Sequence, residues 1–261
     1  MRQLDEQFEV IVIDDGSSDS SVEIGTELSK KYPNLKFIPL TRDASRRLGE
    51  TRNYSIQSAS GEWCIFHLDT DDEIGNYIKE FASGVVKLSE LLPHDVLFSG
   101  QQIHMAKKEF LVSRGPFRNI YRGEDRDLYM RLVRNAEWIV INHKRFIRRF
   151  ERSRKKLLIK NLRDNFDQTV TDLQANPNPL DYLRESFENR SFLSYRIIFY
   201  RFLILLIAKR AAISRGEISR EDYPTHSEFV AYRKNNTLSF SEWFRKFDSK
   251  KPEILNSDVF Y

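Results

Sequence analysis

Cysteine is almost missing from this 261-residue chain, and Cys64 stands alone. A single cysteine excludes an internal disulfide framework and fits a reducing compartment. Long apolar runs are also missing. No stretch of roughly 18 apolar residues occurs, so no ordinary transmembrane helix is expected. The opening "MRQLDEQFEV" has no apolar core of signal-peptide length. A large excess of charge of one sign is missing as well. Lys and Arg number 42 against 38 acids, a formal net charge of +4. That excess is too small by itself to imply nucleic acid, and no nucleic-acid motif is present. Internal repeats and low-complexity tracts are absent. What remains is 40% hydrophobic and 31% charged. This suits a packed core under a very polar surface, in one large domain or one domain with an appendage.

The first part of the chain alternates strand and helix patterns. "FEVIVID" (8–14) is a continuous apolar run, as for a strand covered on both faces. "DGSSDSS" follows as a turn with N-cap residues. A helix is predicted over 22–31, closed by Lys30, Lys31 and Pro33. "LKFIPL" is a second strand. A helix over 44–59 is predicted, with Gly61 as its C′ residue. "WCIFHL" is a third strand. The helix over 76–92 places Ile78, Phe81, Val85 and Leu88 on one face. "DVLFSG" and "EFLVS" read as strands, 124–136 as a short helix and "WIVIN" (138–142) as a strand. Strands alternating with helices predict an α/β fold with a mostly parallel sheet flanked by helices. Ligands sit at the carboxyl ends of strands in such sheets. Both "DDGSSD" and "LDTDD" fall there.

"LDTDDE" sets Asp69, Asp71, Asp72 and Glu73 at the mouth of an apolar segment. Like charges this close need compensation. Residues i and i+2 of an extended segment point the same way. Asp69 and Asp71 could therefore share a hard cation, Mg²⁺ or Mn²⁺, with diphosphate oxygens. The other reading makes these acids the start of the next helix, where they suit the dipole. Asp72 and Glu73 are assigned to that helix start.

Three ordered blocks go further: "VIVIDDGSSDSS" (10–21), "GETRNYSIQSASGEWCIFHLDTDDEI" (49–74) and "GEDRDLYMRL" (123–132). Together they resemble the family 2 glycosyltransferases of the GT-A fold. The resemblance spans roughly 8–143. It implies sugar transfer from a nucleotide-diphosphate donor by metal-dependent inverting displacement. It implies that Asp15, with Asp14 as its neighbouring choice, reads the nucleotide base. Asp69 and Asp71 match the DxD pair that holds the divalent metal and the diphosphate. Arg52 looks like a basic residue that contacts phosphate. Glu124 and Asp125 match the "ED" pair, with Asp125 as catalytic base. His143 sits where many such enzymes carry a metal or phosphate ligand, a match of position only. His67 reads as a packed histidine. The "SRGPF" loop (113–117) is expected near donor sugar or acceptor.

One departure stands out. Family members normally begin with an apolar strand and a helix before "DDGS", and this sequence holds only the tail of that helix. The resemblance therefore implies roughly 30 preceding residues and a strand beside "LDTDD". In-frame codons upstream of Met1 are expected to encode it. A natural fragment or a degenerate paralogue would also lack that strand.

Past about residue 143 strand patterns stop. From Lys144 to Arg163 ten cations meet one acid, Glu151. "SYRIIFYRFLILLIAKR" (194–210) is the most apolar segment, interrupted by Arg196 and Arg201. Two regions follow: a nucleotide-sugar-binding domain over 1–143 and a helical, basic region over 144–261. The segment 144–210 could rest on an anionic membrane surface, suiting a glycan or lipid-linked acceptor. A solvated basic helix and a helix packed on the first domain are the plain alternatives. The expected location is cytoplasmic, with peripheral attachment to the inner face of the cell membrane. Competing functions are a sugar nucleotidyltransferase, whose glycine-rich loop is not present, a catalytically impaired binding protein, and an RNA binder using 144–163.

Overall fold

In the computed structural model the residues described are 4–70, 72–115, 117–120, 122–149, 154–175, 195–216, 223–224 and 226–260. β1 (Val10–Asp14) and β2 (Leu35–Pro39) pair in parallel, joined by helix α1 (Ser21–Lys31). Helix α2 (Leu48–Ser58) leads to β3 (Trp63–Phe66), the short β4 (Asp72–Ile74) and helix α3 (Ile78–Ser89). Then come β5 (Leu97–Ser99), β6 (His104–Lys107), α4 (Lys108–Ser113), α5 (Glu124–Val133), β7 (Trp138–Ile141) and β8 (Ile147–Arg149). The later helices are α6 (Arg154–Ala175), α7 (Tyr195–Arg215), α8 (His226–Asn235) and α9 (Phe240–Lys246), with β9 (Thr237–Leu238) before α9.

The main sheet has the order β3-β6-β5-β7-β9. β5 and β9 each lie parallel to β7, while β6 is antiparallel to both β3 and β5. The α/β class is as expected, with a sheet of mixed direction. Adjacent residues of β5 serve opposite faces. Phe98 joins Phe81, Leu88, Ile103, Ile141 and Phe240 in one core, while Leu97 joins Leu128, Leu132 and Trp138 in another. Burying each large side chain is worth ~1.5–3 kcal/mol. The expected face of α3, Ile78, Phe81, Val85 and Leu88, is buried in the first core.

Several sequence expectations change. "EFLVS" is the helix α4, because the adjoining strand is β6, whose residues 104–107 take the ladder to β3. Helix α2 starts at Leu48 and ends at Ser58, and Gly61 does not cap it. The Gly61 N–H donates instead to Glu9 Oε1 at 2.8 Å, which also accepts from the Ser60 hydroxyl at 2.8 Å. Asp72 and Glu73 do not open a helix: they form β4, antiparallel to β8. The boundary at 143 is also crossed. β8 pairs with β4, β9 extends the main sheet, and Phe240, Trp243, Phe244, Leu255 and Phe260 complete the first core. A capping box between Ser239 and Glu242 starts α9. Helices α6 and α7 build a separate core, from Val170, Leu173, Leu205, Ala208 and Ala212.

Among the described residues β1 pairs only with β2, and β3 only with β6, so no ladder there joins β1 to β3. The Glu9 bonds to Ser60 and Gly61 link the two pieces instead. Among the described residues no helix is long and apolar enough to cross a membrane.

Candidate active site

The two acids after β1 have different work. Asp14 is buried, and its Oδ1 accepts from the N–H groups of Gly16 (3.1 Å) and Ser17 (2.9 Å). Burial alone would raise its carboxyl, but the Ser17 and Gly16 bonds hold it below the usual range. Gly16 has φ +82°, and a Cβ there would lie 2.6 Å from Arg42 Cα. This turn needs both residues as they are. Asp15 points outward. The Thr51 hydroxyl donates to its Oδ2 at 3.2 Å and Arg46 pairs with its Oδ1.

Thr51 is followed on α2 by Arg52 and Asn53, and each reaches a different element. Arg52 Nη1 meets Glu124 Oε1 at 2.6 Å, with its guanidinium over the Phe117 ring at 5.3 Å. Asn53 clamps the backbone of Phe117 on both sides, donating to its carbonyl (2.8 Å) and accepting from its N–H (2.9 Å). The loop singled out by sequence is thus docked on α2 through Phe117, while Pro116 lies outside the described residues.

Gly123, at φ +82°, turns the chain into α5. Glu124 and Asp125 open that helix, where a carboxylate suits the positive end of the dipole. Glu124 is buried. Burial pushes its carboxyl up, and the Arg52 guanidinium opposes that. Asp125 is half-buried, and its Oδ1 accepts from the Arg126 N–H at 2.7 Å. Among the described residues it has no ion-pair partner. Asp127, unremarked in the sequence, is buried under Arg118, Arg131 and the Tyr223 hydroxyl.

β3 ends at Phe66, and the next residue, His67, has a left-handed backbone at φ 73°. Its ring lies 4.8 Å from that of His104. His104 is buried between Ser99 Oγ (2.8 Å from Nδ1) and the Tyr129 hydroxyl (3.0 Å from Nε2). Trp138 Nε1 donates to the same Ser99 oxygen at 2.7 Å. Burial, then the neighbouring His67 and Arg52, keep His104 neutral, well below the usual histidine range. The chain His67–His104–Tyr129 links the end of β3 to α5, one turn beyond Asp125. Sequence reasoning missed His104 and Tyr129, which carry no motif.

Asp69 is exposed just past β3, and its carbonyl accepts from the Asp72 N–H at 3.1 Å. Asp71 lies outside the described residues. Among the described residues no group of three His, Cys, Asp or Glu side chains is placed to hold a metal. His143 is buried beside Phe81, Phe146 and Phe260. Its Nε2 accepts from the Gln101 N–H at 2.9 Å, and its Nδ1 sits 2.8 Å from the Lys144 carbonyl. Both nitrogens are thus engaged within the fold.

Residues 1–98 match the model of glycosyl transferase family 2. That segment is similar to family 2 of the glycosyl transferases. The mixed sheet flanked by helices agrees with the GT-A class. A poly(ribitol-phosphate) beta-glucosyltransferase of Bacillus spizizenii is 41% identical over 71 residues, covering 27% of this chain and 11% of that protein. An uncharacterized glycosyltransferase of Escherichia coli is 38% identical over 67 residues, 26% of this chain and 18% of that one. A GalNAc(5)-diNAcBac-PP-undecaprenol beta-1,3-glucosyltransferase of Campylobacter jejuni is 28% identical over 171 residues, 53% of this chain and 54% of that protein. The chain therefore spans about half, or far less, of the curated relatives it matches.

Proposed function

We propose that this chain is a glycosyltransferase that moves a sugar from a nucleotide-diphosphate donor to an acceptor hydroxyl or phosphate by single displacement with inversion. The observation that carries this reading is the division of labour at α5. Arg52 neutralises the buried Glu124, while Asp125 beside it stays half-buried, with no cation against it among the described residues. A half-buried carboxylate at a helix start can take the acceptor's proton as the acceptor attacks. Asp15, held by Thr51 and Arg46, is the acid available to read a nucleotide base, and Asp14 shapes the turn that presents it. Arg52 acts on the site through Glu124.

The donor set at 69–71 fits a hard divalent cation. Asp69 offers an exposed carboxylate, Asp71 follows two residues on in the sequence, and diphosphate oxygens would complete a shell of oxygen ligands. Mg²⁺ or Mn²⁺ held there would neutralise the departing diphosphate. The undecaprenol-linked name of one relative favours a glycan or lipid-linked acceptor.

A second reading, donor binding without transfer, is favoured by one feature: among the described residues β1 and β3 share no ladder. One experiment separates the two. Thermal shift with nucleoside diphosphates, with and without Mn²⁺, is followed by donor turnover on a nucleotide-sugar panel. Transfer requires metal-dependent stabilisation and turnover, whereas stabilisation alone supports the binding module. No stabilisation sinks both.

A further inference from the structure

Helices α6 and α7 run side by side. The Tyr200 hydroxyl donates to the Leu162 carbonyl at 3.1 Å near one end, and Gln174 to the Gly216 carbonyl at 2.8 Å at the other. Leu205, Ala208 and Ala212 turn inward onto Val170 and Leu173. On the opposite side α7 is just as apolar. Tyr195, Phe199, Phe202, Leu203, Leu206, Ile207 and Ile213 form an outer stripe, with Leu206 80% and Ile207 66% exposed. A helix apolar all round is one that something covers. A soluble monomer ordinarily shows a few hundred Å² of contiguous apolar surface, and seven large side chains go beyond that.

The charges say what covers it. From Tyr195 to Arg215 the sequence holds Arg196, Arg201, Lys209, Arg210 and Arg215, and no acid. On the neighbouring helix Ile159 and Leu162 are exposed, and Arg163 is 83% exposed. Arg215 pairs with Asp167 of α6 at 3.5 Å, and Arg210 is exposed on α7. An apolar stripe on a helix that carries cations and no acid fits the headgroup layer of a bilayer with anionic lipid. A second copy of the same cationic face would be repelled.

We propose that the outer face of α7 seats this protein on an anionic lipid surface, apolar side chains down. The consequence for the site follows from the other side of the pair. Arg122 and Arg126 flank Glu124 and Asp125, and they bind Asp164 (3.0 Å) and Asp172 (3.2 Å) of α6. Gln168 lies against Gly123. The start of α5 is thereby fastened to the lipid-seated helices. On the transferase reading above, on which this last step alone rests, Asp125 is held near acceptors carried in lipid.

The test uses the full chain in co-sedimentation with phosphatidylcholine vesicles, with and without phosphatidylglycerol. Binding is expected only with phosphatidylglycerol, and it should fall with added salt. Leu206→Asp should reduce it at least tenfold. So should the double change Leu203→Ser with Ile207→Ser, a milder check on folding. Both variants should keep the wild-type unfolding temperature, because the altered side chains face outward. Absent binding, or binding that both variants leave unchanged, overturns the proposal. So does a dimer in sedimentation velocity that Leu206→Asp dissolves while vesicles are ignored. Vesicle binding without turnover would leave this surface standing and count only against the transferase.

Discussion

Arg52 and Glu124 are joined by a 2.6 Å ion pair, with side chains only 13% and 6% exposed. They stand 72 residues apart in the chain. Removing one partner of a buried pair leaves an uncompensated charge, at a cost of roughly 3–5 kcal/mol. Glu124 can escape part of this by taking up a proton, since burial already pushes its carboxyl up. Arg52→Met should therefore lower stability by about 3 kcal/mol in urea unfolding. Adding Glu124→Gln should recover at least half. A single variant as stable as wild type would remove Arg52 from this role.

Asp125→Asn should cut transfer by about 10²–10⁴-fold, the range for a general base. Nucleotide-dependent thermal stabilisation should persist. If Glu124→Gln abolishes turnover while Asp125→Asn keeps it, the two roles must be exchanged.

Asp14 and Asp15 should separate cleanly. Asp14→Ala removes two backbone bonds to a carboxylate and should cost about 2 kcal/mol. Because the folded-state carboxyl is held low, that contribution is present above pH about 3.8 and is lost as pH falls through the native value. Asp15→Ala should leave the unfolding midpoint nearly unchanged and weaken nucleotide binding. Urea titrations at pH 7 and pH 3, beside nucleotide thermal shifts, check both.

His104 and His143 are both buried neutral, with their proton affinity lowered chiefly by burial. The unfolded chain takes up protons near pH 6.5, while the native state resists. Stability should therefore decline as pH falls below about 6.5. His104→Gln should flatten the larger part of that decline, and His143 should account for a smaller part. A melting temperature that is flat from pH 7 to 5 would contradict this.

Asp69→Asn and Asp71→Asn should each reduce the Mn²⁺-dependent part of nucleotide stabilisation at least fivefold. The metal-independent part should be untouched. Equal loss with and without Mn²⁺ would argue against a metal at these carboxylates.

The acids are legible in the sequence because a turn at a strand's end is a local event, written in adjacent residues such as Asp14, Asp15 and Gly16. The buried face of α3 is legible for the same reason, since its period lies within one segment. What cannot be read depends on remote partners. Glu124 and Asp125 are adjacent and chemically alike, and only Arg52 on another helix tells them apart. "EFLVS" has strand composition, but β6 beside it already satisfies the β3 edge. His143 lies in motif position, and its environment is made by Phe146 nearby and by Phe81 and Phe260 from distant parts of the chain. Asp72 and Glu73 read as a helix start because their strand partner, β8, lies more than 70 residues on.

β9 closes the main sheet and Phe260 is fully buried against Phe81, Phe146 and Phe240. On the ribosome this imposes an order of events. Every acid assigned to donor, metal or base has been synthesised by Asp125, yet the core beneath α3 lacks its last aromatic wall until residue 260 leaves the exit tunnel. Apolar surface around Phe81 and Ile141 stays open through the second half of translation, a window in which nascent chains bind chaperones. A fragment ending before Thr237 would carry the whole set of candidate acids on a sheet with a raw edge.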